Sequence, residues 1–490
     1  MDLHSELHYR TVEAQTRRHF LGHCGAGLGG LWLAQQALSP RRAKAETELV
    51  SFDPLRPAAP RAPHFAAKVK RVIVIHLSGA PSHLDLFDYK PELAKYSGQD
   101  CPERFLEGKR FAFIRGTPQL LGPVYPFHQE AKTGHWISDR LPHLEQSLDK
   151  ICFLHSMQSE QFNHAPAQLL AFTGNANPGY ASFGAWTLYG LGSESENLPG
   201  FVVLISGGQN PDGGKALWSS AFLPSVFQGV QCRSQGDPVL FLSDPPGVSR
   251  KLRGEVVQAI NQLNQQTHAE SGDPETLTRI AQYEMAFRMQ MAASEAMNMA
   301  DEPEHVHKLY NTQPGKEAFA NNCLLARRLM ERGVRFVQLF DWGWDHHDNL
   351  ETNLPNKSKE VDQPVAALLQ DLEQRGLLED TLVVWAAEFG RTPMQENRGG
   401  VKAKTLGRDH HPDAFTIWLA GGGIKGGHQY GSSDEIGFRV GENPVQWADV
   451  NATLLHLLGL DHHKLAYPFQ GLDQKLVGVK PCRVIEEILA

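Results

Sequence analysis

Three short bursts of carboxylates and imidazoles stand out in the C-terminal third of this chain. The first is DWGWDHHDN, with Asp345, His346 and His347; the second is WAAEFGRTP, with Glu388; the third is GRDHHP, with Asp409, His410 and His411. Neutral imidazole and carboxylate are the side chains that hold Zn²⁺, Mn²⁺ or iron. Each burst lies beside a segment that reads as a strand end, so loops of one sheet would carry all three to one point. A metal-dependent hydrolase is the reaction class this pattern suggests.

The elements that must position these residues follow from apolar periodicity. Val69–Leu77 is a run dominated by β-branched apolar residues, which belongs in the middle of a parallel sheet where both faces are covered. Ser78-Gly79-Ala80-Pro81 is the turn that leaves it. Further strands are expected at Ile151–His155, Phe201–Ile205, Arg335–Phe340, Thr381–Ala387 and Ala414–Leu419. Helices are expected at Ala165–Phe172, Phe319–Arg332, Asp362–Arg375 and Ala452–Leu458. Strands alternating with helices through short connections define an α/β, doubly wound, mostly parallel sheet flanked by helices. Sites in such folds lie beyond the carboxyl ends of the strands. Residues 251–300 carry helix formers with few Gly or Pro, and Ala281–Met299 is Met-rich at helical spacing, as a helical insertion packing a Met face into a core would be.

Composition narrows the class. A chain of 490 residues with 41% hydrophobic and 21% charged residues describes one large globular domain or two. The net charge of −8 argues against nucleic acid as a partner. At the N-terminus, Thr16-Arg17-Arg18-His19-Phe20-Leu21 is a twin-arginine pattern, followed by a Gly-rich apolar stretch and Ala43-Lys44-Ala45 as a cleavage site. Residues 1–45 therefore read as a Tat export signal, and 46–68, rich in Pro and Ala, as a linker to a domain over 69–490. Export would place the protein in the periplasm or outside the cell, with no membrane span once the signal is removed. Six scattered cysteines, without C-x-x-C spacing, suggest neither a disulfide framework nor a zinc–thiolate site.

Several long stretches resemble the alkaline phosphatase superfamily, and more closely the bacterial domain-of-unknown-function family 1501, described as sulfatase-like. They are GAPSHLDLFDYKPEL, SEQFNHAPAQLLAFTG, LARRLMERGVRFVQLFDWGWDHHDN, LLEDTLVVWAAEFGRTP, GRDHHPDAFTIWLAGGGIKGG and NATLLHLLGLDHHKLAYPFQG. The resemblance implies an alkaline phosphatase/sulfatase-like fold with an insertion at about 180–330. It also implies metal on either side of a nucleophile. Asp345, His347 and His410 match one inherited metal site, with Asp341, His346, Asp409 and His411 as neighbours that could shift the register. The other site departs from the pattern. Ser78 stands where an Asp is usual, and Glu388-Phe389-Gly390 replaces Asp-His-Gly. Counting nine residues back from Thr173 lands on His164 where the nucleophile belongs. Formylglycine chemistry is excluded, because the sulfatase pattern keeps only Pro166.

The second half-site could be rebuilt from His83, Asp85, His164 and Glu388, giving one or two divalent ions (Zn, Mn or Fe). Asp88 reads as a cap or turn, and Ser159 is an alternative nucleophile. The implied activity is hydrolysis of a phosphate or sulfate ester, on a small molecule or a glycan. Attack would come from metal-bound hydroxide or from His164, with Arg391 stabilising the oxyanion. The other reading is a non-catalytic, sulfatase-like protein that keeps the fold to bind a glycan or a partner protein.

Overall fold

A computed structural model describes residue 53 and residues 56–106, 116–233, 247–397 and 404–490. The signal expected over 1–45 lies outside these residues. The stretch read as a linker is, over residues 56–68, tied to the body: Arg61 N–H donates to Leu191 O at 2.9 Å, and Lys68 N–H to Leu457 O at 2.8 Å. No described helix is long and apolar enough to cross a membrane.

The centre is a nine-stranded sheet. Its strands are β1 (Arg71–Ser78), β2 (Ile151–Gln158), β3 (Phe201–Ser206), β4 (Val230–Cys232), β5 (Phe336–Trp342) and β6 (Thr381–Ala386). A two-residue ribbon, β7 (Gly390–Arg391) with β8 (His410–His411), stands outside it, and β9 (Phe415–Gly421), β10 (His428–Tyr430) and β11 (Val445–Gln446) complete it. The order is β10-β2-β9-β6-β1-β5-β3-β4, with β11 beside β2. Every pairing in this sheet is parallel except those of β9, which runs antiparallel to both neighbours. The doubly wound, mostly parallel α/β layout expected from the sequence is the observed one. The stretch at 180–330 is more than a helical insertion, because it supplies β3 and β4 to the sheet edge.

Alternation along β1 explains its central place. Ile73, Ile75 and Leu77 enter one apolar cluster, and Val72 and Val74 enter the other on the opposite face. Both faces are covered by helices: α1 (His164–Thr173), α2 (Phe183–Leu191), α3 (Arg250–Ser271), α4 (Pro274–Met297), α5 (Phe319–Glu331), α6 (Leu350–Gln374) and α7 (Trp447–Leu457). Met289 and Met297 of α4 are buried in the core, the packing role expected for the Met-rich stretch. Helix α6 begins at Leu350, not at Asp362, and runs through Pro355 and Pro364. Its buried face of Leu354, Val361, Val365, Leu368 and Leu372 outweighs the two prolines locally.

The helix that feeds the site strand is clamped by charge. On α5, Arg327 meets Glu302 at 2.8 Å, Glu331 at 2.7 Å and Asp371 of α6 at 2.9 Å, while Arg328 also pairs with Glu302. Burial would raise the Glu302 carboxyl, but Arg327 and Arg328 together hold it below its ordinary value. A depressed folded-state pKa contributes stability above the unfolded value and loses it as pH falls through the folded one. Urea midpoints should therefore drop as pH falls below about 4.5, the ordinary value, and Glu302→Gln should flatten that slope. An identical slope in the variant would remove Glu302 from the acid response.

Candidate active site

Three neighbouring elements deliver the cluster. The turn after β1, the loop after β5 and the segment after β6 leave the carboxyl ends of adjacent parallel strands. Gly79 lets two of them touch: its φ is +107°, and a Cβ there would lie 2.5 Å from the Asp345 backbone N. Any larger residue would push the Asp345 loop away.

The fourth delivery comes from the ribbon. In it His410 stands opposite Arg391, and His411 opposite Gly390. Opposed residues of an antiparallel pair share a face. His410 therefore points with Arg391 toward Asp345. His411 points the other way, with Nε2 2.5 Å from Phe438 O and its ring stacked on Phe438. This register decides between the two histidines.

At the centre, Asp345 Oδ1 lies 3.0 Å from His347 Nε2 and 3.1 Å from His410 Nε2, and those two nitrogens are 3.0 Å apart. The other ring nitrogens are anchored. His347 Nδ1 lies 2.8 Å from Glu396 Oε2, and His410 Nδ1 lies 2.8 Å from Phe162 O. A carboxylate or carbonyl on Nδ1 needs the proton there, so each neutral ring turns the Nε2 lone pair inward. Two inward lone pairs and a carboxylate oxygen repel one another unless a cation lies between them. Donors held at about 2.0–2.1 Å around one tetrahedral ion are roughly 3.3 Å apart, close to the separations found. The donor set thus fits a divalent ion such as Zn, Mn or Fe.

Across the second oxygen stands His164, the first residue of α1. Its Nε2 is 3.4 Å from Asp345 Oδ2 and makes no hydrogen bond among the described residues, while Nδ1 lies 2.7 Å from Glu388 Oε1. Burial would lower the His164 pKa, but Asp345 and Glu388 hold it up at about 9. Burial likewise acts to lower His347, yet Asp345 and Glu396 leave it raised. His410 is pushed down to about 4 by burial, with Arg391 adding to the effect. Asp345 is held far below the carboxylate range: burial would raise it, and His164, His347, His410 and Arg391 outweigh that.

Several sequence expectations change here. Glu388 is fully buried and serves as an anchor in place of a ligand role: Oε1 accepts from Gly79 N–H at 3.0 Å and Gln168 Nε2 at 3.1 Å besides facing His164. Asp85 is not at the cluster. It is sealed in an ion pair with Arg408, at 2.7 and 3.2 Å, and also accepts from Val124 N–H. His83 is buried against Gly390, its pKa driven down to about 3 by burial, and it does not join the other donors. Of the second site expected from His83, Asp85, His164 and Glu388, the structure brings together His164 and Glu388 and leaves His83 and Asp85 apart from them. Arg391 does not face outward as an oxyanion donor; its N–H groups go to Ala80 O, Gly79 O, Arg408 O and Asp345.

The remaining neighbours are also placed. Asp341 is taken up by Lys357, Trp344 and Ser206, and His346 Nε2 lies 3.1 Å from Gly343 O. Ser159 Oγ accepts from Gln161 N–H in a local turn. Asp409 is buried beside the cluster and accepts from His410 N–H, and its carboxylate lies close enough to His347 and His410 to share a cation. Phe389, where the resembled family pattern has a histidine, packs its ring 5.0 Å from that of His164 and 4.6 Å from that of His410. Sequence reading missed Glu396, which sits in a loop with no periodic signal.

Anchors of this kind set metal affinity. Glu396→Gln should weaken metal binding by about 10–100-fold while leaving the fold intact, as read by calorimetric titration. An unchanged affinity would separate Glu396 from the ion.

Residues 69–489 match the family model described as "Protein of unknown function (DUF1501)", and the chain belongs to that family. No curated protein sequence matches it. Among solved structures, it is similar to the lipoteichoic acid synthase LtaP from Listeria monocytogenes, at 10% identity and a TM-score of 0.37 over 87% of this chain and 79% of that one. The PsFucS1 sulfatase from Pseudoalteromonas sp. gives 12% identity and a TM-score of 0.35 over 80% and 68%. The alkaline phosphatase from the Antarctic bacterium TAB5 gives 10% and 0.34 over 81% and 100%.

Proposed function

We propose that the protein is a metal-dependent hydrolase of phosphate or sulfate esters, exported by the twin-arginine route to the periplasm or beyond. One observation carries the reading: Asp345, His347 and His410 turn three donor atoms to within 3.0–3.1 Å of one another, with the rear of both rings anchored. A divalent cation held there supplies Lewis acidity toward an ester oxygen and lowers the pKa of nearby water.

The protein's own residues account for the rest. Two histidines and one carboxylate leave coordination positions open, as catalytic sites require. His164 stands at the outer oxygen of Asp345, its Nε2 3.4 Å from Oδ2 and its Nδ1 fixed by Glu388. This carboxylate–imidazole order orients a proton-handling or nucleophilic ring. Phe389 walls His164 and His410 on one side. Arg391 fixes Asp345.

A panel of p-nitrophenyl phosphate, bis(p-nitrophenyl) phosphate and p-nitrophenyl sulfate, assayed with Zn²⁺, Mn²⁺ or Fe²⁺, tests the reading. Turnover that disappears with EDTA and in His164→Ala, while that variant still binds metal, is the expected result. The non-catalytic reading is favoured by Arg391, whose donors are spent on the protein itself; metal binding without turnover on any ester would establish it. Metal removal should also lower stability, by about 2.7 kcal/mol where the free ion is at 100 times its Kd.

A further inference from the structure

His76 lies in the interior of β1, in a run otherwise made of apolar residues, and is fully buried. It shares the face of Val72 and Val74, and the rings of Phe172 and Phe340 meet its ring at 5.1 and 5.6 Å, both edge-on. A polar ring in such a place costs free energy unless a partner compensates. Its Nε2 makes a close polar contact with Glu388 Oε2 at 3.2 Å, short of hydrogen-bond alignment, and neither ring nitrogen meets any other polar partner among the described residues.

Glu388 explains the placement. Its Oε1 receives Gly79 N–H, Gln168 Nε2 and the His164 ring, whereas Oε2 is buried and faces His76. Without His76, that oxygen would have no polar partner among the described residues. A fully buried carboxylate so exposed to apolar surroundings would turn or take up a proton. Either change frees His164 Nδ1.

We propose that His76 is a positioning residue for His164, acting through Glu388: it holds Oε2, so that Oε1 stays fixed on the His164 ring. The chain runs from the core of the central strand to the mouth of the site as His76, Glu388, His164, Asp345. It deepens the hydrolase reading and rests on it for the role of His164, but the geometry it asserts exists in the metal-free protein.

The test therefore uses metal-free, ¹⁵N-histidine-labelled full-length protein. The wild type should show a downfield Nδ1–H resonance that disappears in His164→Ala and in Glu388→Gln. His76→Phe, close in volume and suited to its aromatic neighbours, should lose that resonance while melting as a folded protein. His76→Gln, whose amide reaches the same point, should retain it. In the metal-loaded enzyme, His76→Phe should lower kcat about tenfold or more with little change in KM, within the range of general acid–base contributions. Retention of the His164 resonance in folded His76→Phe would overturn the proposal. Its loss together with an absence of ester turnover in the wild type would uphold the positioning chain and overturn the hydrolase reading instead.

Discussion

Asp345→Asn is expected to abolish measurable metal binding, with affinity falling by more than about 100-fold, beyond the 10–100-fold typical of losing an outer anchor. The carboxylate does two things at once. Its Oδ1 faces His347 and His410, and the same oxygen accepts from Arg391. An amide keeps the shape but loses the charge, so the buried guanidinium of Arg391 would then repel a cation directly. The unpaired guanidinium should also depress the pKa of the flanking histidines. Calorimetric titration with Zn²⁺ and Mn²⁺ measures the loss. Asn at 345 with wild-type affinity would mean that the ion is held elsewhere.

Asp85→Ala is expected to destabilise the protein by about 3–5 kcal/mol, the cost of leaving a buried charge without its partner. Both side chains of the Asp85–Arg408 pair are fully buried. Arg408 also donates to Leu121 O at 2.9 Å, Gly122 O at 2.8 Å and Thr392 O at 3.2 Å, so one guanidinium joins four segments of the chain. Asp409 and His410 follow it directly, and the pair therefore fixes the root of the ribbon that carries His410. Urea unfolding should show the shift in midpoint, while the folded fraction at low temperature still takes up metal. If Asp85→Ala removed metal without loss of stability, Asp85 would return as a ligand.

The strands were legible because burial on both faces leaves one signature, the predominantly apolar run seen at Val72–Leu77 and Thr381–Ala387. Strand direction was not: Phe415–Gly421 reads like its neighbours, and its reversal depends on pairing with β2 and β6. The start of α6 was missed because Pro355 and Pro364 are local signals, whereas the apolar face that overrides them is packed by distant residues. At the site, residue types marked the three bursts, and the family resemblance singled out Asp345, His347 and His410 within them. Choosing His410 over His411 needed a two-residue ribbon register that no periodicity reports. Asp85 looked available because its partner lies 323 residues away in sequence. His76 looked like part of an apolar strand, since nothing local shows that Glu388 lies over it.

The proposed site binds one divalent ion through Asp345, His347 and His410. Metal content of the purified full chain, counted by mass spectrometry beside its His410→Ala and His83→Ala variants, tests it most directly. One equivalent per chain is expected in the wild type, none in His410→Ala and one in His83→Ala. A metal-free wild type after exposure to Zn²⁺, Mn²⁺ and Fe²⁺, or a folded His410→Ala that keeps its ion, would contradict it.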